Sequence, residues 1–321
     1  MLSPRTHATL LLTAQIPTDT LASPLDVREW NRLARWLAAT NSAPESLVLE
    51  DARLVLVDWQ DSRITIDRIL ALLERGPSLE RVLDRWLATG LWITGRSDDN
   101  YPAYLRKNLR ESAPPIIYGY GDAALFNNRG VAIVGSRDAP DHDLQLAEGL
   151  GRAVSECGCN VISGGARGID DRAARGAFAA GGTVIAVVAD SLVRNAAKRQ
   201  YRDHLRDGDL LLMTPYSPDA AFSAGNAMSR NRLIYCLSDA AIAVSSANGT
   251  GGTYGGASQN LKHGWSPLWV ARTPDPTSGN PVLVDQGASW LPDIADVDIP
   301  ALFDGPVRAP HSPRAVQSAL L

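Results

Sequence analysis

Six short apolar runs between residues 131 and 271 constrain this chain more than any other feature. They are VAIV (131–134), NVIS (160–163), TVIAVVA (183–189), LLLM (210–213), AIAVS (241–245) and LWVA (268–271). Each is continuous rather than alternating, and a strand that is apolar on both faces is one buried on both faces. Helix-length segments separate most of them. The pattern therefore predicts an α/β fold, a Rossmann-like αβα sandwich around a mainly parallel sheet. Ligands of such folds sit beyond the carboxyl ends of the strands. The residues that follow each run are the place to look for chemistry.

Ahead of this block the periodicity changes. PLDVREWNRLARWLAAT puts Trp30, Leu33 and Leu37 on one helical face. ITIDRILALLERGPSLERVLDRWLATG reads as two helices broken at Gly76-Pro77, with Ser78 as N-cap and Gly90 as stop. Residues 1–95 are thus expected to form a small helical domain, 96–130 a connecting segment rich in turn formers, 131–300 the α/β core and 301–321 a short tail. The 321 residues suffice for two domains, and no apolar run approaches a membrane span. ATLLLTAQI near the start is too short for one and lacks a cleavage pattern, so it reads as a buried helix. The three cysteines, Cys157, Cys159 and Cys236, lack zinc-type spacing and are odd in number, which points to a reducing cytoplasm. No metal or cofactor is expected.

The net charge of −4 argues against a surface that binds polyanions indiscriminately. A local basic groove remains open to the chain, since no acidic residue occurs from Ala240 to Pro274. Four stretches could line it. Gly135-Ser136-Arg137 follows the first run. A dinucleotide fingerprint would need glycine at Arg137, and the arginine suits a bidentate phosphate contact instead. A tight turn with a surface arginine is the plain alternative. After the second run, SGGARGIDD brings Ser163, Gly164, Gly165, Arg167 and Gly168, residues that permit close backbone approach and supply a guanidinium fork. Asp170 and Asp171 read as helix-capping carboxylates.

Arg230, Asn231 and Arg232 open a helical run, with Ser229 as its N-cap. Positions two apart on a helix point about 200° apart, so the two arginines should not share one phosphate. One would face a pocket and the other a carboxylate. Thr250, Gly251, Gly252 and Thr253 follow the fifth run as a phosphate-cradling loop without the Gly-Lys-Ser/Thr ending of a P-loop. Arg194, Lys198, Arg202 and Arg206 recur every four residues and form one basic stripe if helical. A solvated face balanced by Asp203, Asp207 and Asp209 is the ordinary explanation for them. No catalytic residue is recognised among the five histidines or elsewhere.

The order of these motifs resembles the DprA/Smf family of DNA-processing proteins. YPAYLRKNLRESAPPIIYGYGDAALFNNRGVAIVGSR, VISGGARGIDDRAA and SRNRLI carry the resemblance from about residue 100 to 236, and GTGGTYGGA and GNPVLVDQGASWLP extend it to about 292. The helical segment is similar in position to the family's sterile-alpha-motif-like domain. The resemblance implies a homodimer that binds single-stranded DNA without catalysis and hands it to a RecA-type recombinase. Three departures stand out. Ala174 replaces the family's usual histidine, Ser245-Ser246 replaces an acidic residue, and SAGNAM is inserted before the arginine motif. The winged-helix domain of many members is not found. These point to a divergent branch working in phage defence or beside a toxin. The rival readings are a nucleotide-binding sensor and a phosphoribohydrolase-like enzyme of the same superfamily shape. NGTGGTYGGA echoes the glycines of the latter but lacks its glutamate.

Overall fold

A computed structural model describes residues 2–16, 22–275 and 277–307. The expected tail therefore lies outside the described residues beyond position 307. The chain opens with six helices: α1 (Pro4–Thr13), α2 (Val27–Ala39), α3 (Ser46–Leu49), α4 (Ala52–Val55), α5 (Ile66–Leu73) and α6 (Gly76–Leu87). β1 (Trp92–Gly95), α7 (Ala103–Leu109) and β2 (Ile116–Tyr120) follow. β3 (Gly130–Val134), α8 (Asp141–Glu156), β4 (Asn160–Ser163) and α9 (Ile169–Ala179) begin the block of apolar runs. It continues through β5 (Val184–Val187), α10 (Leu192–Ala196), α11 (Arg199–Asp207), β6 (Leu210–Thr214) and α12 (Ala224–Leu237). β7 (Ala240–Ala243), α13 (Gly251–His263), β8 (Leu268–Val270), α14 (Asn280–Asp285), β9 (Ser289–Trp290) and α15 (Ile299–Leu302) complete it. No described helix is long and apolar enough to cross a membrane.

The chain packs as two compact units. Of the described residues, the first takes those within 1–128 and 183–237, the second those within 129–182 and 238–307. This division is not linear along the sequence: residues 183–237 cluster with the N-terminal helices. Residues 96–130, read as a connector, hold α7 and β2.

In the first unit the strand order is β1-β2-β6-β5, with β1/β2 and β2/β6 antiparallel and β5/β6 parallel. Its helices bury the face the sequence pattern expects: Trp30, Leu33 and Leu37 join Leu56, Ile64, Ile69 and Leu72 in one core. Asp26 and Glu29 form a reciprocal capping box on α2, and Glu29 also grips Arg68 through both oxygens at 2.8 and 2.9 Å. That double grip holds the Glu29 carboxyl below its ordinary range. Ser78 is not the cap of α6. The helix starts two residues earlier, with Arg75 as N-cap residue and Pro77 in its first turn, where a missing N–H costs nothing.

Arg75 has another task. Its side chain is 3% exposed and donates to the carbonyls of Leu11 and Ala14 (both 3.1 Å) at the end of α1. A buried guanidinium here satisfies carbonyls that the helix leaves without partners. Arg75→Met is expected to lower the unfolding free energy by about 2 kcal/mol, which urea denaturation will measure. A midpoint equal to wild type would show that these carbonyls find other donors.

The second unit is wholly parallel in order β4-β3-β7-β8-β9. Every residue of β3, β4 and β7 is buried, as continuous apolar runs require. The α/β class and mainly parallel pairing follow the expectation from the sequence. α8 and α9 lie together at backbone contact. A Cβ on Gly151 would stand 2.0 Å from the Ala173 carbonyl oxygen, and one on Gly176 only 1.9 Å from that of Glu148.

Candidate nucleic-acid interface

The second unit joins three strand-end loops into one surface. Gly135 leaves β3 with no room for a side chain, since a Cβ would meet Ile169 at 2.4 Å. Gly168 adopts φ +82°, and a Cβ on it would meet the carbonyl oxygens of Ser136 and Arg137 at 2.5 and 2.7 Å. The Ile169 N–H donates to the Ser136 carbonyl at 3.3 Å. These glycines hold the two turns back to back. From the other side the Thr253 hydroxyl donates to the Gly135 carbonyl at 3.0 Å, and the Ser136 N–H to the Ser245 hydroxyl at 3.4 Å.

Arg137 and Arg167 are both exposed on this surface. Arg167 meets the Asp138 carboxylate at 2.8 Å, with 72% and 78% of the two side chains exposed. An ion pair this wet contributes little stability and opens readily. Beside them α13 presents its N-terminus. Thr250, its N-cap residue, makes no side-chain capping bond, and Gly251 and Gly252 are exposed at the positive end of the helix. The positive end of a helix attracts phosphate.

The glycine-rich turn is built differently from the reading as a phosphate cradle. Its N–H groups at Gly164 and Ala166 donate to the Asp170 carboxylate at 3.0 and 3.3 Å, and that of Gly165 turns to the Ser163 hydroxyl at 3.4 Å. Asp170, 7% exposed, thus reaches back from the first turn of α9 and organises the loop ahead of it. Asp171 pairs with Arg175 at 2.9 Å one helical turn on. Ser163 is buried.

Sequence reasoning missed two groups. Asp138 is one; the other is Asp143, 2% exposed in the first turn of α8, with His142 at 3.0 Å. Burial pushes the Asp143 carboxyl up, while His142 and a hydrogen bond from Ser245 pull it back. Nothing in the local pattern DHDLQL marks the second aspartate as buried. Among the described residues no three His, Cys, Asp or Glu side chains cluster as a metal site would need.

The remaining candidates lie in the first unit. α12 begins at Ala224, so Ser229 stands inside the helix and not at its cap. Arg230 is 5% exposed and its Nη1 donates to the Val187 carbonyl at the end of β5, at 2.5 Å. Arg232 is half-buried and favours ionisation of Tyr101, Tyr216 and Cys236, whose burial pushes each of them up. Asn231 between them is half-buried. The two arginines have different surroundings, as the helical spacing requires.

The basic stripe is not one helix. α10 ends at Ala196 and α11 starts at Arg199, with Lys198 in extended backbone (ψ 136°) as the N-cap residue. Arg194 and Arg202 are exposed, the Lys198 ammonium donates to Asn195 at 2.7 Å, and Arg206 pairs with Asp207 and Asp203 at 3.0 and 3.2 Å.

A profile described as "DNA recombination-mediator protein A" matches residues 92–299, more than half of the chain. The chain belongs to this family. Among its relatives, the DNA processing protein DprA of Bacillus subtilis is 27% identical over 226 residues, which cover 69% of this chain and 75% of that protein. A putative DNA processing protein DprA of Mycobacterium tuberculosis is 30% identical over 135 residues, but these span only 35% of its length. The X-ray structure of DprA from Streptococcus pneumoniae superposes with a TM-score of 0.62 at 22% identity, covering 83% of this chain and 91% of that one. A Helicobacter pylori DprA structure, described in terms of its single-stranded DNA binding mode, gives 0.53 at 24% identity over 64% and 93%. The DprA family profile covers the whole of the joined strand-end surface, from Gly135 to Thr253.

Proposed function

We propose that the strand-end surface of the second unit binds single-stranded DNA through its backbone phosphates, in DNA processing and recombination. The observation that carries this reading is the pair of exposed arginines, Arg137 and Arg167, on turns fixed against each other beside the exposed start of α13. Such a surface offers charge without base-edge recognition, so binding is sequence-tolerant and falls steeply with salt. Single-stranded DNA is also the ligand of the H. pylori family member. The family resemblance adds a homodimer and a RecA-type recombinase as partner, or a toxin in a phage-defence setting. It assigns no catalytic residue, metal or cofactor. In this reading the helical segment 1–95 is an accessory module, and the exposed Arg194, Lys198 and Arg202 of the first unit offer phosphate contacts of their own, while the buried Arg230 holds α12 to the end of β5.

Fluorescence anisotropy with single-stranded DNA, duplex DNA and RNA oligonucleotides over a range of salt is the test. The single strand should bind tightest, with log K falling linearly by about 0.7 per phosphate contact. Equal affinity for all three, or none, would remove the proposal. Gln at both Lys198 and Arg202 should flatten the slope for long strands by about 1.4 and spare short ones. An unchanged slope returns these two residues to ordinary surface.

One observation bears on the enzymatic alternative: a buried carboxyl with its pKa pushed up, such as Asp143, is what acid–base chemistry uses. Nucleoside monophosphates, NAD and ATP should nevertheless be recovered intact after incubation. Turnover abolished by Asp143→Asn would put the enzyme first.

A further inference from the structure

The helical part of the first unit leaves an apolar ridge uncovered. α3 and α4 turn Leu47, Ala52 and Leu56 into the core. On their outer side Val48, Leu49, Leu54 and Val57 stand 43%, 70%, 72% and 71% exposed, and Leu87 at the end of α6 adds 43%. Nine large hydrophobic residues are exposed in this way among the described residues, and five of them are here. Scattered single leucines need no explanation, but a contiguous group marks an interaction surface.

A cleft flanks the ridge on each side. One, of about 380 Å³, is floored by Leu2, Leu83 and Leu87, and its charged rim is Glu45, Glu80 and Asp84 with His7. The other, of about 310 Å³, lies beside Trp36 and Val55 and carries Glu50, Asp51 and Asp58. Neither is lined by lysine or arginine. Glu45 is matched by Arg5 at 2.8 Å and Glu80 by His7 at 2.7 Å. Asp84, Glu50 and Asp58 have no ion pair among the described residues. Arg53 is the one cation on α3 and α4, and α6 adds Arg81 and Arg85, the latter paired with Asp219.

With Glu45 and Glu80 already matched, Asp84, Glu50, Asp51 and Asp58 around the apolar ridge select the occupant. Nucleic acid and anionic lipid are repelled, and a second copy would set these carboxylates against their own kind. We propose that the ridge docks an amphipathic α-helix of another protein, with apolar residues at helical spacing and lysine or arginine on both flanks. The apolar stripe covers Leu49 and Leu54, and the flanking cations reach the carboxylates of the two clefts.

The probe is a fluorescein-labelled 15-residue peptide of leucine and lysine at helical spacing, titrated with the full chain. Its control has the same composition with the residues alternating. Micromolar binding is expected for the helical peptide, at least tenfold weaker for the control. Leu49→Ser with Leu54→Ser should weaken it about tenfold or more, and both positions are exposed enough to leave the fold intact. Glu50→Lys with Asp84→Lys should weaken it as well, without touching an apolar residue. Equal binding of both peptides, or wild-type binding by either double variant, overturns the proposal. So does a dimer in sedimentation velocity that the leucine variant dissolves, because the occupant is then a second copy. Affinity for single-stranded DNA should be unchanged in both variants; a loss there would assign the ridge to strand binding instead.

Discussion

Arg137→Ala is expected to weaken binding of single-stranded DNA by about 10- to 150-fold at fixed salt. That range corresponds to one charge-assisted contact worth about 1.5–3 kcal/mol. The side chain is exposed, so its removal leaves β3 and its turn in place. Arg167→Ala should act in the same direction, and its guanidinium must first leave Asp138 to meet a phosphate. Asp138→Asn should tighten binding. Anisotropy titrations of the three variants form a set, and unchanged affinity in both folded arginine variants would take these turns out of the interface.

Asp170→Ala is expected to lower the unfolding free energy by about 2–5 kcal/mol, the cost of leaving two loop N–H groups without their acceptor. Gly164 is buried, so water cannot easily replace the carboxylate there. Asp170→Asn should fall between, since both loop N–H groups meet one oxygen, which an amide keeps but only as a neutral and weaker acceptor. Urea denaturation measures the loss. Binding should weaken too in the folded fraction, because the turn that carries Arg167 is no longer held against Ser136. A midpoint within error of wild type would mean that the loop is held by its glycine packing alone.

Four parallel strands of the second unit, β3, β4, β7 and β8, were legible because burial on both faces writes an unbroken apolar run, whereas the half-buried β9 writes none. β1 and β2 were not. Ile116–Tyr120 is wholly buried, yet its sequence IIYGY sits between Pro114-Pro115 and Gly121-Asp122, and those flanks signal turns. α12 extends back to Ala224 through SAGNAM, a stretch with no apolar period to reveal it. The break at Lys198 was equally hidden, since four-residue spacing persists across two helices whether or not they are continuous.

In the candidate site the residue types were readable and their obligations were not. Arg137, Arg167 and the start of α13 announce themselves by sequence. That Asp170 would consume the N–H groups of the glycine turn depends on a return of the chain that spacing alone does not specify. Arg75 and Asp143 are charged residues buried by tertiary packing, which local periodicity cannot foresee.

The pair between Arg167 and Asp138 gives the protein a counterion of its own. A phosphate arriving at Arg167 enters an exchange, with Asp138 as the group displaced. A free phosphate ion has only that one exchange to offer and gains little by it. A polymer whose neighbouring phosphates are already held at Arg137 and at α13 arrives at a high effective concentration and completes the exchange. Under the proposed function the tethered aspartate would therefore act as a threshold, set against small anions and in favour of a chain that can engage several points at once.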